Sequence, residues 1–184
     1  MAKSLFISED YVKTNSRLDE NIDIKLIVPT IAEMQDIYLV QYLGSSLFDD
    51  LDTKIAAGTT NAAEDTLIQD FIAPMLLKFV TMEMTNVLLF RYSNKNVSKK
   101  NSDNAIPIDD NNYTKLISHH KDRAEYYGQR LINYLCGNAS LFPAYCSTSN
   151  SWDIQPLTNS YTCGFYLGGS GGKRYNPNSG KWYL

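Results

Sequence analysis

Cysteine and histidine are scarce in this chain. Three cysteines among 184 residues, with no C-x-x-C pair, are too few and too scattered for a zinc module or a disulfide framework, and a reducing cytosolic environment is the simplest interpretation. The two histidines, His119 and His120, are adjacent, and neighbouring positions of a helix point about 100° apart, so the two side chains should not bind one ion. His120 is expected to be a hydrogen-bonded core residue. We expect no metal and no cofactor.

Catalytic and nucleotide-binding motifs are also missing. The chain has no G-x-S-x-G, P-loop, G-x-G-x-x-G or E-x-x-H motif, and no pair of acid and base residues stands out, so we expect that it is not an enzyme. Four glycines in 168–172 resemble a phosphate-binding loop only in composition, and a flexible linker is the favoured interpretation. A net charge of −3 and a pI near 5.3 argue against nucleic-acid binding over the whole surface.

Membrane-spanning runs are not evident. The longest apolar stretch, Phe71–Phe90, is interrupted by Pro74, Lys78 and Glu83, which predicts that it does not cross a membrane. The first ten residues have no apolar core of the signal-peptide type, so none is expected.

What the chain does have is a strongly apolar stretch in 61–92. Asn61 followed by Glu64 is a capping-box pattern, which predicts a helix start. Apolar residues then recur at helical spacing, and they leave a narrow polar stripe of Lys78, Thr81 and Thr85. Pro74 should kink this helix or restart it. The buried face is predicted to include Leu76, Val80, Met84 and Val87. The fold class is therefore mainly α, a helical bundle around a long central helix.

The N-terminal third is predicted as short segments. Ser8 should cap a one-turn helix near Tyr11, and the alternating β-branched run 21–28 predicts a short extended segment that ends at Pro29. Thr30 and Glu33 form a second capping box, which predicts a helix over about 31–43, ended by Gly44. Ser45 should cap the next helix, which ends at Gly58.

Residues 91–104 form a polar, basic loop. Its cations Arg91, Lys95, Lys99 and Lys100 are candidates for contact with a DNA channel or DNA phosphates, and the alternative is a solvated loop without a ligand. Residues 105–108 should be extended. Asp109 or Asp110 then caps a long helix to about Cys136, in which Gly128 allows close approach of another helix.

The tail differs in composition from the body. Residues 137–184 hold 7 of the 10 glycines, 9 of the 22 aromatics and a charge of +2, whereas residues 1–136 carry −5. We therefore divide the chain into a helical domain, 1–146, and an irregular Gly/Tyr-rich arm, 147–184. The arm should order on a partner, and the alternative is a β-hairpin packed on its own domain. The residues predicted to contact the partner are aromatic and basic: Phe165, Tyr166, Lys173, Arg174, Tyr175, Trp182 and Tyr183.

Several runs carry a family resemblance. The segment VPTIAEMQDIYLVQYLGSSLFDDL, with Pro29-x-Ile31, Gln35-Asp36, Leu43-Gly44, Phe48 and Leu51, resembles the opening helices of helical head–tail connector proteins of tailed bacteriophages. The most similar are those of crAss-like phages that infect Bacteroides-type hosts. Further support comes from the run FIAP at 71–74 and from 122–145, with Ala124-Glu125, Arg130-Leu131 and Phe142-Pro143. The similarity spans roughly residues 5–145 and leaves out the arm.

The resemblance implies a structural protein of the virion, located at the head–tail junction and assembled in the host cytoplasm. Such proteins form a homo-oligomeric ring, usually of twelve subunits, under the portal protein, where the ring extends the DNA channel and docks tail or further ring proteins. The DNA would pass without sequence-specific contacts, and no membrane is involved. The alternative function is a helical DNA-binding or packaging accessory protein that uses the basic loop 91–100.

Overall fold

The computed structural model describes residues 4–92, 94, 97–99, 108–145, 153–158, 174–176 and 181–183. These residues are mainly helical, in agreement with the fold class predicted from the sequence. The two longest uninterrupted helices pack on each other, and the buried apolar side chains form one continuous core around the first of them.

Helix α1 (Glu9–Asn15) begins as predicted, because the Ser8 hydroxyl accepts a hydrogen bond from the Tyr11 amide at 3.1 Å. The next segment corrects the sequence prediction. Helix α2 (Ile24–Met34) occupies the run that was expected to be extended, and Asp23 caps it through the Lys25 amide at 2.9 Å. Its buried residues, Ile27, Ile31 and Met34, recur at helical spacing. The short alternating run is compatible with the period of a strand and with that of a helix. It forms a helix because this places the apolar stripe in the core.

Pro29 and Thr30 lie inside α2, so the capping box predicted at Thr30 does not start a helix. The Thr30 hydroxyl instead donates to the Leu26 carbonyl at 2.8 Å, one turn earlier in the same helix. Pro29 is on the exposed side, where water can satisfy the carbonyl that its missing N–H leaves without a partner.

A π-helical segment, Gln35–Leu39, continues α2 into α3 (Val40–Ala57). The buried amide of Gln35 fixes the N-terminus against this segment, since it accepts from the Phe6 amide at 2.9 Å and donates to the Ser4 carbonyl at 3.0 Å. Helix α3 is broken at Gly44, whose φ of 74° and ψ of 154° are not helical. The predicted interruption at Gly44 is therefore present, although the helix resumes at once and ends at Gly58 as expected.

Helix α4 (Ala62–Thr66), a π-helical segment (Leu67–Ile72) and α5 (Ala73–Leu89) form the central stretch. The predicted capping box is complete: Asn61 accepts from the Glu64 amide at 3.0 Å, and Glu64 accepts from the Asn61 amide at 2.9 Å. Pro74 lies in the first turn of α5, directly after the π-helical segment, where its missing N–H is tolerated. Leu76, Val80 and Met84 are buried as predicted, but Val87 is only half-buried.

In the part of the chain that the structure describes, one segment is long and apolar enough to cross a membrane by length and composition, Ala62–Leu89. From the sequence, Pro74, Lys78 and Glu83 had led to the prediction that the apolar stretch does not cross a membrane. Half of its most apolar window is buried inside the protein (50%), as is normal for a core helix, so the segment alone is weak support for a membrane span.

After α5, strands β1 (Phe90–Tyr92) and β2 (Val97–Lys99) pair antiparallel where a loop was predicted. The segment predicted as extended, 105–108, lies outside the described residues except for Ile108. Helix α6 (Asp110–Gly137) follows, capped by Asp109 as expected, and packs along α5. Phe71, in the π-helical segment before α5, stacks on Tyr134 of α6, with ring centroids 4.1 Å apart. Gly128 is buried against Tyr42, which confirms the predicted close approach of another helix.

Two further pieces of the tail are described. Residues 153–158 are irregular and lie against α3. Strands β3 (Arg174–Asn176) and β4 (Lys181–Tyr183) pair antiparallel, with Tyr175 opposite Trp182. The arm was predicted to be irregular, and these six residues differ from that prediction because they form strands.

Candidate functional site

The predicted basic loop is only partly described. Arg91 lies in β1 opposite Ser98, while Lys95 and Lys100 lie outside the described residues. Lys99 forms an exposed ion pair with Asp110, in the first turn of α6. An exposed pair of this kind contributes little to stability, but it partly neutralises one of the four cations that were predicted to meet DNA.

The residues of the arm that were predicted to contact a partner are also only partly described. Phe165, Tyr166 and Lys173 lie outside the described residues. Arg174 and Tyr175 belong to β3, and Trp182 and Tyr183 to β4, where Arg174 pairs with Tyr183 in the ladder. The prediction that these side chains bind a partner stays a prediction.

The structure brings together a group of residues that the sequence did not show to be neighbours. A cavity of about 440 Å³ lies between α5, α6 and the turn that follows α1. Five of its lining residues carry or can carry positive charge, and we call them the cationic cleft: Arg17, Lys78, His119, His120 and Arg123. A second cavity, of about 320 Å³, shares Lys78, His119 and Arg123 with the first and adds Asp122, Tyr126 and Tyr127.

The cleft forms because two polar stripes meet. On α5 the predicted polar stripe of Lys78, Thr81 and Thr85 lines the cavity. Helix α6 contributes Leu116, His119, His120 and Arg123, which are spaced three, four and seven residues from the first and therefore share one face. This spacing is visible in the sequence, but only the packing of α5 on α6 shows that the two stripes face each other.

The cations of the cleft repel one another. Burial lowers the pKa of Lys78, and the charges of Arg123 and Arg17 lower it further. Burial is also the main reason why the pKa of His120 is lowered, with added contributions from His119, Lys78, Arg123 and Arg17. The neighbouring cations therefore disfavour the protonation of Lys78 and of His120.

His120 corrects a second expectation. It was predicted to be a hydrogen-bonded core histidine, but its Nδ1 is buried without a hydrogen-bond partner, and the residue as a whole is half-buried at the edge of the cleft. A buried polar atom without a hydrogen-bond partner lowers the stability of the folded protein, and a ligand that forms a hydrogen bond with this atom would offset that loss. Among the described residues, no group of three His, Cys, Asp or Glu side chains is placed to hold a metal ion.

A second notable place is the break in α3. In an uninterrupted helix the Ser45 amide would donate to the Gln41 carbonyl. Here the Ser45 amide donates to the Ile154 carbonyl at 3.0 Å, and the Gln41 carbonyl accepts from the Leu157 amide at 2.9 Å. The segment 153–158 thus provides hydrogen-bond partners for both of these backbone groups.

The contact at the break is tight. A Cβ added to Gly44 would lie 2.7 Å from Cδ of Pro156, and the Tyr145 hydroxyl donates to the Leu157 carbonyl at 3.0 Å. The boundary between domain and arm at 146/147 stays a prediction. The segment 153–158, which that division assigned to the arm, is bonded to the helical domain.

Comparison with known proteins gives one match. No curated protein and no solved structure matches the chain. Residues 39–153, which include the break in α3, the central stretch and all of α6, match the family described as a family of unknown function, DUF6712. Because this match spans more than half of the sequence, the chain belongs to the DUF6712 family.

Proposed function

We propose that this protein is a structural component of a bacteriophage virion. Its helical domain, a bundle around α5, forms an oligomeric ring between the portal protein and the tail. The ring extends the DNA channel, and the Gly/Tyr-rich arm docks on the portal or on the next subunit. The protein has no enzymatic role in this proposal.

The observation that carries the proposal is where the residues of the connector resemblance lie in the fold. Leu43, Phe48 and Leu51 are buried, and Phe142 is 2% exposed. Gly44 occupies the break in α3, a backbone conformation that favours glycine. These five residues of the resemblance therefore lie where two proteins of the same architecture should agree, whereas Pro29, Asp36 and Arg130 are exposed and carry less weight.

The root of the arm also supports the proposal. Residues 154–157 are hydrogen-bonded to α3, so the chain beyond residue 158 departs from a fixed point on the domain. Ile154 and Leu157 keep 44% and 46% of their surface exposed although they are held in place. Ordered apolar side chains beside an aromatic arm suit a surface that is covered in an assembly.

The charge distribution fits a ring built from one kind of subunit. A closed ring repeats a contact between two different surfaces of the same chain. The body, with a charge of −5 over 1–136, and the tail, with +2 over 137–184, are complementary. An arm that carries Lys173, Arg174 and Lys181 can therefore contact the acidic body of a neighbouring subunit or an acidic portal surface.

Mass photometry and negative-stain microscopy of the purified full chain test the ring. A subunit of 20.8 kDa predicts a twelve-membered ring of about 250 kDa, with a central opening seen in end-on views. The measurement is made with and without the portal protein encoded in the same genome, since the portal can template the ring. A monomer in both conditions would contradict the proposal. Steeply salt-dependent binding of duplex DNA by such a monomer would favour the packaging-accessory alternative.

A further inference from the structure

We infer that the cationic cleft is a binding site for a phosphate group, either inorganic phosphate or the terminal phosphate of a small molecule. The site is formed within one chain by Arg17, Lys78, His120 and Arg123, contributed by the turn after α1, by α5 and by α6. It does not depend on ring assembly, and it differs from the basic loop and the arm.

The first argument is that, among the residues the structure describes, the lysine and arginines of the cleft have no carboxylate partner. Three lysines elsewhere in the described chain have carboxylate partners: Lys54 pairs with Asp50 and Glu64 at 2.7 and 2.6 Å, Lys99 pairs with Asp110, and Lys121 pairs with Glu125 at 3.7 Å. Within the same described part, no carboxylate lies within ion-pair distance of Arg17, Lys78 or Arg123. An acidic body that concentrates unpaired cations in one recess favours an anionic ligand there.

The second argument is the kind of donors present. The Thr81 and Thr85 hydroxyls already donate to the carbonyls of Leu77 and Thr81, at 2.7 and 3.0 Å, so recognition falls to the charged groups. Two guanidinium groups offer planar pairs of N–H donors, and the Lys78 ammonium supplies a point charge, which together suit the several oxygens of a phosphate. His120 Nδ1, buried and without a partner, adds a donor when the ring is protonated there.

The third argument is shape. A cavity of about 440 Å³ accommodates a phosphate group and part of the molecule that carries it. Of its lining cations, Lys78 and His120 are half-buried, whereas Arg17 and Arg123 are exposed. The half-buried cations favour a small or terminal phosphate, because the backbone of a rigid DNA duplex would reach the exposed cations more easily.

Isothermal titration calorimetry of the full chain with sodium phosphate at constant ionic strength tests the inference. We expect one site per chain, and we expect the Arg17→Gln/Arg123→Gln double variant to bind roughly tenfold more weakly or worse, because it loses two charge-assisted contacts. Both residues are exposed, so the double variant should fold, which circular dichroism checks. Lys121→Ala is the matched control: it removes a cation of α6 that lies outside the cleft, and it should bind as the unmodified chain does.

A second readout locates the ligand. Phosphate should shift the imidazole NMR resonances of His120 in the unmodified chain and leave them unchanged in the double variant. Absence of binding at tens of millimolar phosphate, an equal effect of sodium chloride, or equal weakening by Lys121→Ala would each overturn the inference. Binding of a short DNA duplex that is lost in the double variant, without binding of free phosphate, would also overturn it in favour of a contact with nucleic-acid backbone.

Discussion

Replacing Gly128 with alanine sets two physical effects against each other. Alanine is the better helix former, and by propensity alone the change should stabilise α6 by up to about 1 kcal/mol. The packing predicts the opposite, since the added Cβ would lie 2.5 Å from Cε1 and Cζ of Tyr42 and 2.6 Å from its hydroxyl oxygen. Ordinary carbon contacts lie at about 3.5–4.0 Å, so the Tyr42 ring has to move by roughly 1 Å.

Tyr42 has little room to move. The residue is 9% exposed, its ring lies 6.3 Å from that of Phe79, and Phe79 stacks on Tyr38 with centroids 4.0 Å apart. Overpacking of this kind costs about 1–3 kcal/mol, and after the gain in helix propensity we expect a net loss of about 1–2 kcal/mol.

Urea unfolding followed by circular dichroism at 222 nm measures the effect. Gly137→Ala is the matched control, because this glycine lies on the same helix with nothing within 4 Å of the added Cβ, and its stability should change by less than about 0.5 kcal/mol or increase. In a Tyr42→Leu background the cost of Gly128→Ala should largely disappear. If Gly128→Ala is neutral or stabilising in the unmodified chain, the close approach of α3 and α6 is refuted.

Three further predictions concern stability and are measured by urea or thermal unfolding. Leu76→Ala should destabilise the protein by about 2–5 kcal/mol because Leu76 is fully buried in α5, and a loss below about 0.5 kcal/mol would contradict that placement. Gly44→Ala should lower the free energy of unfolding by about 1–3 kcal/mol, because residue 44 has a positive φ and the added Cβ would clash with Pro156. It should also speed amide hydrogen exchange at Ser45 and Leu157, and unchanged exchange would refute the contact between α3 and the segment 153–158. Because the folded-state pKa of His120 is lowered from 6.5, the unfolded chain binds a proton first as the pH falls through 6.5, so stability should decrease there. His120→Asn should flatten this decrease, and a variant with an unchanged pH profile would show that His120 is not its source.

The sequence predicts an element correctly when the interactions that determine the element lie between residues close together in the chain. The Asn61–Glu64 capping box, the Asp109 cap and the Gly58 terminus were predicted correctly, because each is set within one helical turn. The run 24–28 was predicted wrongly as extended, because alternating β-branched residues fit a strand locally, and only the burial of Ile27 with Ile31 and Met34 makes it a helix.

The cationic cleft could not be predicted for the same reason. In the sequence, Lys78 and Thr81 form only a polar stripe on one helix, and nothing relates that stripe to His119 and Arg123 some 40 positions later. Their meeting depends on how α5 and α6 pack, which involves contacts between residues some 40 positions apart. The pairing of residues 154–157 with the break in α3 also depends on long-range contacts. Gly44 predicts the break, but no neighbouring residue in the sequence indicates which groups hydrogen-bond to the Gln41 carbonyl and the Ser45 amide.

Co-sedimentation with portal rings tests the central claim most directly. The full chain is compared with a chain that ends at residue 158, which keeps the hydrogen bonds to α3 and removes the remainder of the arm. We predict that the full chain sediments with the portal as a ring, whereas the shortened chain keeps its helical circular dichroism signal and stays in the supernatant. Failure of the full chain to bind the portal or to form a ring would contradict the connector function, and normal binding by the shortened chain would contradict the role of the arm.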